Sequence, residues 1–414
     1  MKHINYIALV TVALTTTNLR AETIAYTGAT IETLAKAGTI ENATVVVTDG
    51  KITDVGADVD LPDTAKIVDV SGQTILPGMV EIYHPISIGG GSAAAATRTV
   101  TIGGRTFTVG NRTTTTSTVF TRIADNLDPL QLKTDLTRLS RIGIGFGNLV
   151  TRGYGQSVHA RMDPSDPETS VTNKDGYLYL ALTNSTTSLN VLRTGLATRS
   201  TSSSAARSTV SRSRTGAATT TPSRTSSTAS PTVALWKDVK EGKKPIIINV
   251  NNPATILHVV EILKKSDKVK VVLISTGASV YQAFDVLKSQ KNFSIVLRPG
   301  IDTIPFTRNR VNVARMLNDA KMKFGFTIST DTDITGAPDT PLFPLAMLVK
   351  TGLPRDIALK AVSQVPAKML GLEKTLGSIE KGKLANMIFV DGDPLDASTR
   401  IQRVLVEGKT THEG

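Results

Sequence analysis

Apolar and polar positions alternate in short runs over the first part of the chain, then settle into a longer rhythm. Thr44-Val45-Val46-Val47-Thr48, Asp49-Gly50 and Lys51-Ile52-Thr53-Asp54-Val55-Gly56 read as strand, tight turn and strand. Ala65–Val70 is another short strand, and an apolar run then enters Pro77-Gly78 and continues through Met79–Ile86. Thr99–Val109 reads as a hairpin turning at Gly103-Gly104. From Pro129, Leu130, Leu132, Leu136 and Leu139 recur at helical spacing. A strand over Ile142–Val150 comes next, interrupted by three glycines. Beyond Leu235-Trp236 the pattern becomes regular. Strands are predicted at Ile246–Asn251, Val269–Ser275, Phe293–Arg298 and Phe324–Thr330. Helices are predicted with Ile256, Val259, Val260 and Leu263 on one face, at Ser279–Gln290, at Val311–Lys321, and from Pro354 to near Leu370. Strands alternating with helices at this spacing argue for βα units around a parallel sheet, an α/β protein.

The stretch Ser200–Pro231 breaks the rhythm. It is Ser, Thr, Ala and Arg with almost no large apolar residue, so it cannot bury enough surface to offset its ordering entropy. No Asp or Glu occurs from Gly176 to Lys237, so much of the net charge of +12 gathers there. An Arg-rich tract invites anionic polymers. Aromatic stacking partners are absent until Trp236, however, and we read a solvated insertion over 197–232 with no nucleic-acid role.

Composition adds three limits. A chain of 414 residues with 40% hydrophobic content buries a large core and accommodates a barrel plus a smaller domain. Cys is absent, which excludes disulfides, thiolate metal sites and a cysteine nucleophile. At the N-terminus, Lys2, the apolar Ile7–Leu14 and Leu19-Arg20-Ala21 before Glu22 read as a secretory signal over 1–21. Its apolar core is too short to span a bilayer, and no other segment is suited to do so. The expected location is exported, periplasmic or secreted.

Two phrases carry a family resemblance. The first is "ATVVVTDGKITDVGADVDLPDTAKIVDVSGQTILPGMVEIY", ending in Thr74–Ile86. The second comprises Ala361–Leu372 and Gly377–Asp391, the latter matching Gly-Ser-Ile-x-x-Gly-Lys-x-Ala-Asp except that Asn386 stands where Asp is usual. Together and in this order they resemble the amidohydrolase superfamily, in wording the exported imidazolonepropionase-like group. The resemblance implies a (β/α)8 TIM-like barrel over 76–371 and a composite β-sandwich from 22–75 and 372–414. It implies hydrolysis of carbon–nitrogen bonds other than peptide bonds.

The family site is a set of strand-mouth ligands, including an Asp-x-His-x-His on the first barrel strand, that holds one or two divalent metals. Imidazole and carboxylate suit zinc, which lowers the pKa of bound water to about 7. On this chain Glu81 takes the Asp place, Tyr83 the first His and Pro85 the second. The fifth-strand His falls on Asn249, the sixth near Ser275, and the eighth-strand Asp on Asp331. His84 falls between the ligand positions and points away unless the strand slips or bulges. Of the 5 histidines, only His84 and His159 can stand near the site. His258 sits on a helix, and His3 and His412 lie at the ends. A one-metal centre from His84, His159 and Asp331, with Asp331 as catalytic carboxylate, stands beside a reading in which no metal is held and Asp331 is an N-cap or loop residue. No nucleophile-elbow spacing supports Ser275 in a triad.

The resemblance therefore implies either a hydrolase with a degraded site, using no cofactor or a single zinc-like ion, or a non-catalytic binding or scaffold subunit. Expected partners are a small amide or cyclic imide, a second copy, or an active paralogue.

Overall fold

The computed structural model describes residues 22–86, 97–102, 105–110, 119–197, 231–328 and 340–414. The signal reading at 1–21, most of the insertion and Asp331 lie outside the described residues.

The described residues begin with five strands: β1 (Thr23–Glu32), β2 (Thr39–Thr48), β3 (Lys51–Gly56), β4 (Lys66–Asp69) and β5 (Gln73–Pro77). The β2–β3 turn is the expected Asp49-Gly50, with φ of 49° and 76°, the left-handed pair that matches the twist of a two-residue hairpin. The apolar alternates of these strands, among them Ile31, Val45, Ile52 and Ile75, form one buried cluster.

The chain then passes through Gly78 into β6 (Met79–Pro85). A hairpin of β7 (Thr97–Ile102) and β8 (Arg105–Gly110), with Ile102 opposite Arg105, is the one expected from Gly103-Gly104. After β9 (Phe120–Arg122), α1 spans Pro129–Arg141. Asp128 caps it, its carboxylate accepting from the Leu130 N–H, with Pro129 in the first turn. Leu132, Leu136 and Leu139 are buried beneath the helix, whereas Leu130 is 75% exposed. The strand β10 (Ile144–Val150) lies parallel to β6.

The stretch after β10 departs from a regular βα repeat. Strands β11 (Tyr154–Gln156) and β12 (Val158–Arg161) form one extended run that straddles two neighbours. The β12 half pairs antiparallel with β10. The run continues to α2 (Pro167–Ser170), β13 (Val171–Asn173) and β14 (Leu178–Ala181), and the β11 half pairs antiparallel with β14. Ser157 joins the halves: its N–H donates to the Tyr177 carbonyl (3.0 Å), and its hydroxyl accepts from the Tyr177 N–H (2.8 Å). The reason is length. Only Thr151–Gly153 separate β10 from the run, and a parallel crossover needs about a dozen residues or more.

Helices α3 (Thr186–Ala197) and α4 (Pro231–Lys240) flank the insertion. Both ends of the insertion as read from sequence therefore belong to helices. Next come β15 (Ile246–Asn249), α5 (Pro253–Leu263), β16 (Val271–Ile274), α6 (Gly277–Gln282), α7 (Phe284–Lys288) and β17 (Phe293–Leu297). The single helix expected at Ser279–Gln290 is broken, because Ala283 leaves the helical region (φ −99°, ψ 9°). A small hairpin, β18 (Asp302–Thr303) and β19 (Arg310–Val311), precedes α8 (Val313–Asp319) and β20 (Phe324–Phe326). The single helix expected from Pro354 divides too. After α9 (Phe343–Lys350) stand α10 (Arg355–Lys360) and α11 (Gln364–Met369). Pro366 has no N–H to continue the ladder, and Ser363 turns aside to donate its hydroxyl to the Gly78 carbonyl (2.9 Å).

Strands β14, β15, β16, β17 and β20 run parallel in that order. With β6, β10 and the reversed run they make a ring of eight positions, the α/β barrel expected from the sequence. Between β20 and β6 the ring closes without a ladder. The Phe326 N–H donates to the Ala361 carbonyl (2.7 Å) and the Val80 N–H to the Val362 carbonyl (2.9 Å), so the α10–α11 link is wedged there.

The closing strands β21 (Met387–Asp391), β22 (Ile401–Val406) and β23 (Lys409–Glu413) join β5, completing the sheet order β23-β22-β21-β5-β1-β2-β3. Asn386 ties this sheet to the barrel: its side-chain carbonyl accepts from the Glu407 N–H, and its backbone carbonyl from the Gly78 N–H, both at 2.7 Å.

Candidate active site

Strand alternation sorts the barrel side chains onto two faces. Ile246, Ile248, Leu273 and Ile295 point out and pack under the helices. Val80, Phe146, Tyr179, Ile247, Val272 and Val296 point in and form a separate buried cluster. The barrel interior is thus filled by apolar and aromatic groups, and the chemistry of the mouth depends on what stands at the C-terminal ends of the strands.

Glu81 stands there, 1% exposed. Its Oε1 accepts from the Thr327 hydroxyl (2.5 Å) and the Tyr83 N–H (2.9 Å), and its Oε2 accepts from the Ile328 N–H (2.9 Å). The carboxylate therefore bridges the first strand to the end of the eighth. Thr327 lies in Phe326-Thr327-Ile328-Ser329, and nothing in that phrase marks it as a partner of Glu81; only the closure of the ring brings them together.

The positions that the sequence resemblance assigns to ligands are Tyr83, Pro85, Asn249 and Ser275, and the structure gives each of them other partners. The Tyr83 ring stacks on Tyr179, with centroids 5.9 Å apart and planes 25° apart. The Asn249 amide donates to the Tyr179 hydroxyl (3.3 Å). Pro85 is buried opposite Val150. The buried Ser275 donates its hydroxyl to the Val250 carbonyl (2.5 Å), which turns it away from any nucleophilic role. Tyr179 was not singled out by sequence. Its place between Tyr83 and Asn249 comes from the parallel register of β14 with β15, which sets Ala181 opposite Asn249.

The two candidate imidazoles stand on opposite faces of the wall. Strand β6 does carry an irregularity: Glu81 pairs with Gly147, and His84 with Leu149, so three steps on β6 match two on β10. The irregularity leaves His84 outside. Its Nε2 lies 3.3 Å from Arg138 and 3.9 Å from Asp135, both on α1. His159 lies within, its ring 5.0 Å from Tyr177 and 6.0 Å from Phe146 between centroids. Burial, reinforced by the nearby Lys244 ammonium, lowers its pKa from 6.5 to about 4, so it is neutral at physiological pH. Tyr177 and Lys244 precede β14 and β15, so His159 faces the closed end of the barrel. The Tyr177 hydroxyl donates to the Leu370 carbonyl (2.5 Å) there. The described residues do not bring His84 and His159 together, and Asp331 lies outside them.

Among the described residues, no group of three His, Asp or Glu side chains is placed to hold a metal ion. A phenol stacked on a second phenol, a pyrrolidine, an amide and an engaged hydroxyl do not form the imidazole and carboxylate set that zinc takes. The residues at the described mouth do not fit the metal.

The amidohydrolase family model matches residues 212–411 of the chain. Among solved structures, an amidohydrolase from Thermotoga maritima MSB8 superposes with a TM-score of 0.68 at 19% identity, covering 94% of this chain and 100% of that one. Phenylurea hydrolase B gives 0.55 at 14% identity, over 94% and 96% of the two chains. A beta-aspartyl dipeptidase from Fervidobacterium islandicum AW-1 gives 0.54 at 14% identity, over 95% and 97%. Among curated proteins, the dihydroorotase of Mycobacterium tuberculosis is 38% identical over 65 residues, 14% of this chain. The match spans only 15% of that enzyme's length. Residues 212–411 thus match the amidohydrolase family, and the chain has the barrel fold of these solved amidohydrolases. Divalent metals are typical of that family, and small molecules are its substrates. Among the described residues, no helix is long and apolar enough to cross a membrane.

Proposed function

We propose that this protein has kept the amidohydrolase barrel and given up efficient hydrolysis of carbon–nitrogen bonds, acting instead as an exported binding or scaffold subunit beside an active paralogue. One observation carries the reading. Tyr83 and Asn249, two positions where the family resemblance calls for imidazoles, are linked through Tyr179, by ring stacking on one side and a hydrogen bond on the other. Side chains engaged with each other in this way stabilise a closed mouth and supply neither ligands nor a base for activating water. Family membership alone does not establish turnover, because chemistry resides in the site rather than in the fold.

The test is metal content together with turnover. The full chain, purified without chelators, is analysed for bound transition metals and assayed on dihydroorotate and on β-aspartyl-leucine, the compounds named by its relatives. We expect metal far below one ion per chain and no turnover. Near one zinc per chain, with hydrolysis abolished by Asp331→Asn, would replace this reading with a working one-metal hydrolase.

A further inference from the structure

The loop after β17, at the C-terminal rim of the barrel, carries a feature that the mouth groups described above do not include. Residues Asp302–Val311 fold back as the β18–β19 hairpin, and at its tip Phe306 is 103% exposed, the most exposed large apolar side chain among the described residues. Its backbone is left-handed, with φ of 63°, a conformation rarely taken by a bulky residue. A solvated loop has little reason to keep an aromatic ring in strained backbone with nothing covering it. Strain of this kind persists where surrounding structure over-determines it, and it concentrates at functional positions.

The hairpin is well built. The Ile304 N–H donates to the Asn309 carbonyl (2.8 Å), and the Thr307 N–H to the Ile304 carbonyl (3.1 Å). The Thr307 hydroxyl also donates to the Ile304 carbonyl (2.9 Å) and accepts from the Asn309 N–H (3.1 Å). At the base, the Asp302 carboxylate accepts from the Ala278 N–H, and it occupies the space where a side chain at Gly277 would begin. The tip is thus fixed before anything binds, which spares a partner the cost of ordering it.

Charge selects the partner. Arg298, Arg308 and Arg310 belong to the same loop, all exposed, and none has a carboxylate in ion-pairing range among the described residues. An aromatic anchor beside unpaired guanidinium groups is the composition of an interface hot spot. The net charge of +12 disfavours a second copy of the chain as occupant. A membrane surface would gain one inserted ring, since Ile304 and Pro305 are half-buried, and one ring anchors poorly. We infer that the Phe306 hairpin is a docking finger for an acidic protein surface, with the ring seated in an apolar recess and Arg308 and Arg310 facing its carboxylates.

The probes are labelled short amphipathic helical peptides, one with a glutamate polar face and one with lysine, plus phosphatidylserine vesicles. Each is titrated against the full chain and its variants. The wild type should bind the acidic peptide, more weakly as salt rises, and discriminate against the basic one. Phe306→Gly should lose about tenfold or more in affinity while its thermal midpoint holds or rises, because glycine accepts the left-handed backbone freely. Arg308→Glu with Arg310→Glu should reverse the charge preference. Binding unaffected by Phe306→Gly, binding without charge preference, or no acidic-peptide binding at all would each overturn the inference. So would Phe306-dependent capture of vesicles in place of peptide.

Discussion

Glu81 and Ile328 hold the first and last barrel strands together through one hydrogen bond, Oε2 accepting from the backbone N–H at 2.9 Å. The other oxygen of the same carboxylate takes the Thr327 hydroxyl at 2.5 Å, so a buried side chain bridges this seam directly beside the backbone bonds of the wedged α10–α11 link. In the family reading this position is an acidic neighbour of metal ligands. Here it serves as a clip.

Replacing it tests that role. Glu81→Gln presents an amide N–H₂ to donors and leaves at least one buried group unpaired, so we expect a loss of about 2–3 kcal/mol in chemical denaturation. Thr327→Val removes one donor and should cost about 1 kcal/mol. The double variant should cost less than the sum of the two, since both disrupt one network. Additive losses would show that the two groups act independently.

His159 supplies a pH dependence whose sign follows from its burial. Its folded pKa is about 4 against 6.5 for the free side chain, so the unfolded chain binds the extra proton first. The stability it protects is complete above pH 6.5 and is lost as pH falls towards 4, a change on the order of 3 kcal/mol. His159→Phe keeps a ring against Phe146 and Tyr177 and should flatten stability across that interval. A profile unchanged by the substitution would place the acid sensitivity elsewhere.

The helices flanking the basic insertion meet at Gly195 and Trp236. An added Cβ at 195 would collide with the indole ring, so Gly195→Ala should cost about 1–3 kcal/mol by overpacking. The indole N–H, which donates to the Tyr154 hydroxyl (3.1 Å), limits how far the ring can retreat.

Helices α3 and α4 pack against each other through Gly195 and Trp236, a contact that a shorter connection can span. Replacing residues 201–229 with a Gly/Ser linker of about ten residues should leave the denaturation midpoint unchanged or raise stability by about 1 kcal/mol through lower loop-closure entropy. A large loss would reveal that the insertion packs on the barrel.

The parts of the fold readable from the chain were those where local pattern and tertiary role agree. The Asp49-Gly50 hairpin, α1 under Leu132, Leu136 and Leu139, and the strand–helix alternation from Ile246 onward follow from turn chemistry and periodicity. The region from Gly153 to Tyr177 was not legible. Its strands are three and four residues long, too short for a period to declare itself, and they are set by pairing with β10 and β14. The breaks at Ala283 and Ser363 leave no mark in the chain, because the apolar spacing continues across them.

At the site the division is sharper. Order along the chain is what assigns Tyr83, Pro85, Asn249 and Ser275 to the family ligand positions in our proposal. Whether His84 faced the interior turned on a strand irregularity that only the β6–β10 register reveals. The α/β barrel follows from the strand–helix alternation of the chain, and the residues proposed to stand at its ligand positions are named from their order along it, because both readings rest on residue type and spacing. Folding added that His84 and His159 stand on opposite sides of the wall, that Glu81 closes the ring, and that Tyr83 and Asn249 meet through Tyr179. Contacts between strands distant in sequence depend on register and closure, and neither is encoded in any local run of residues.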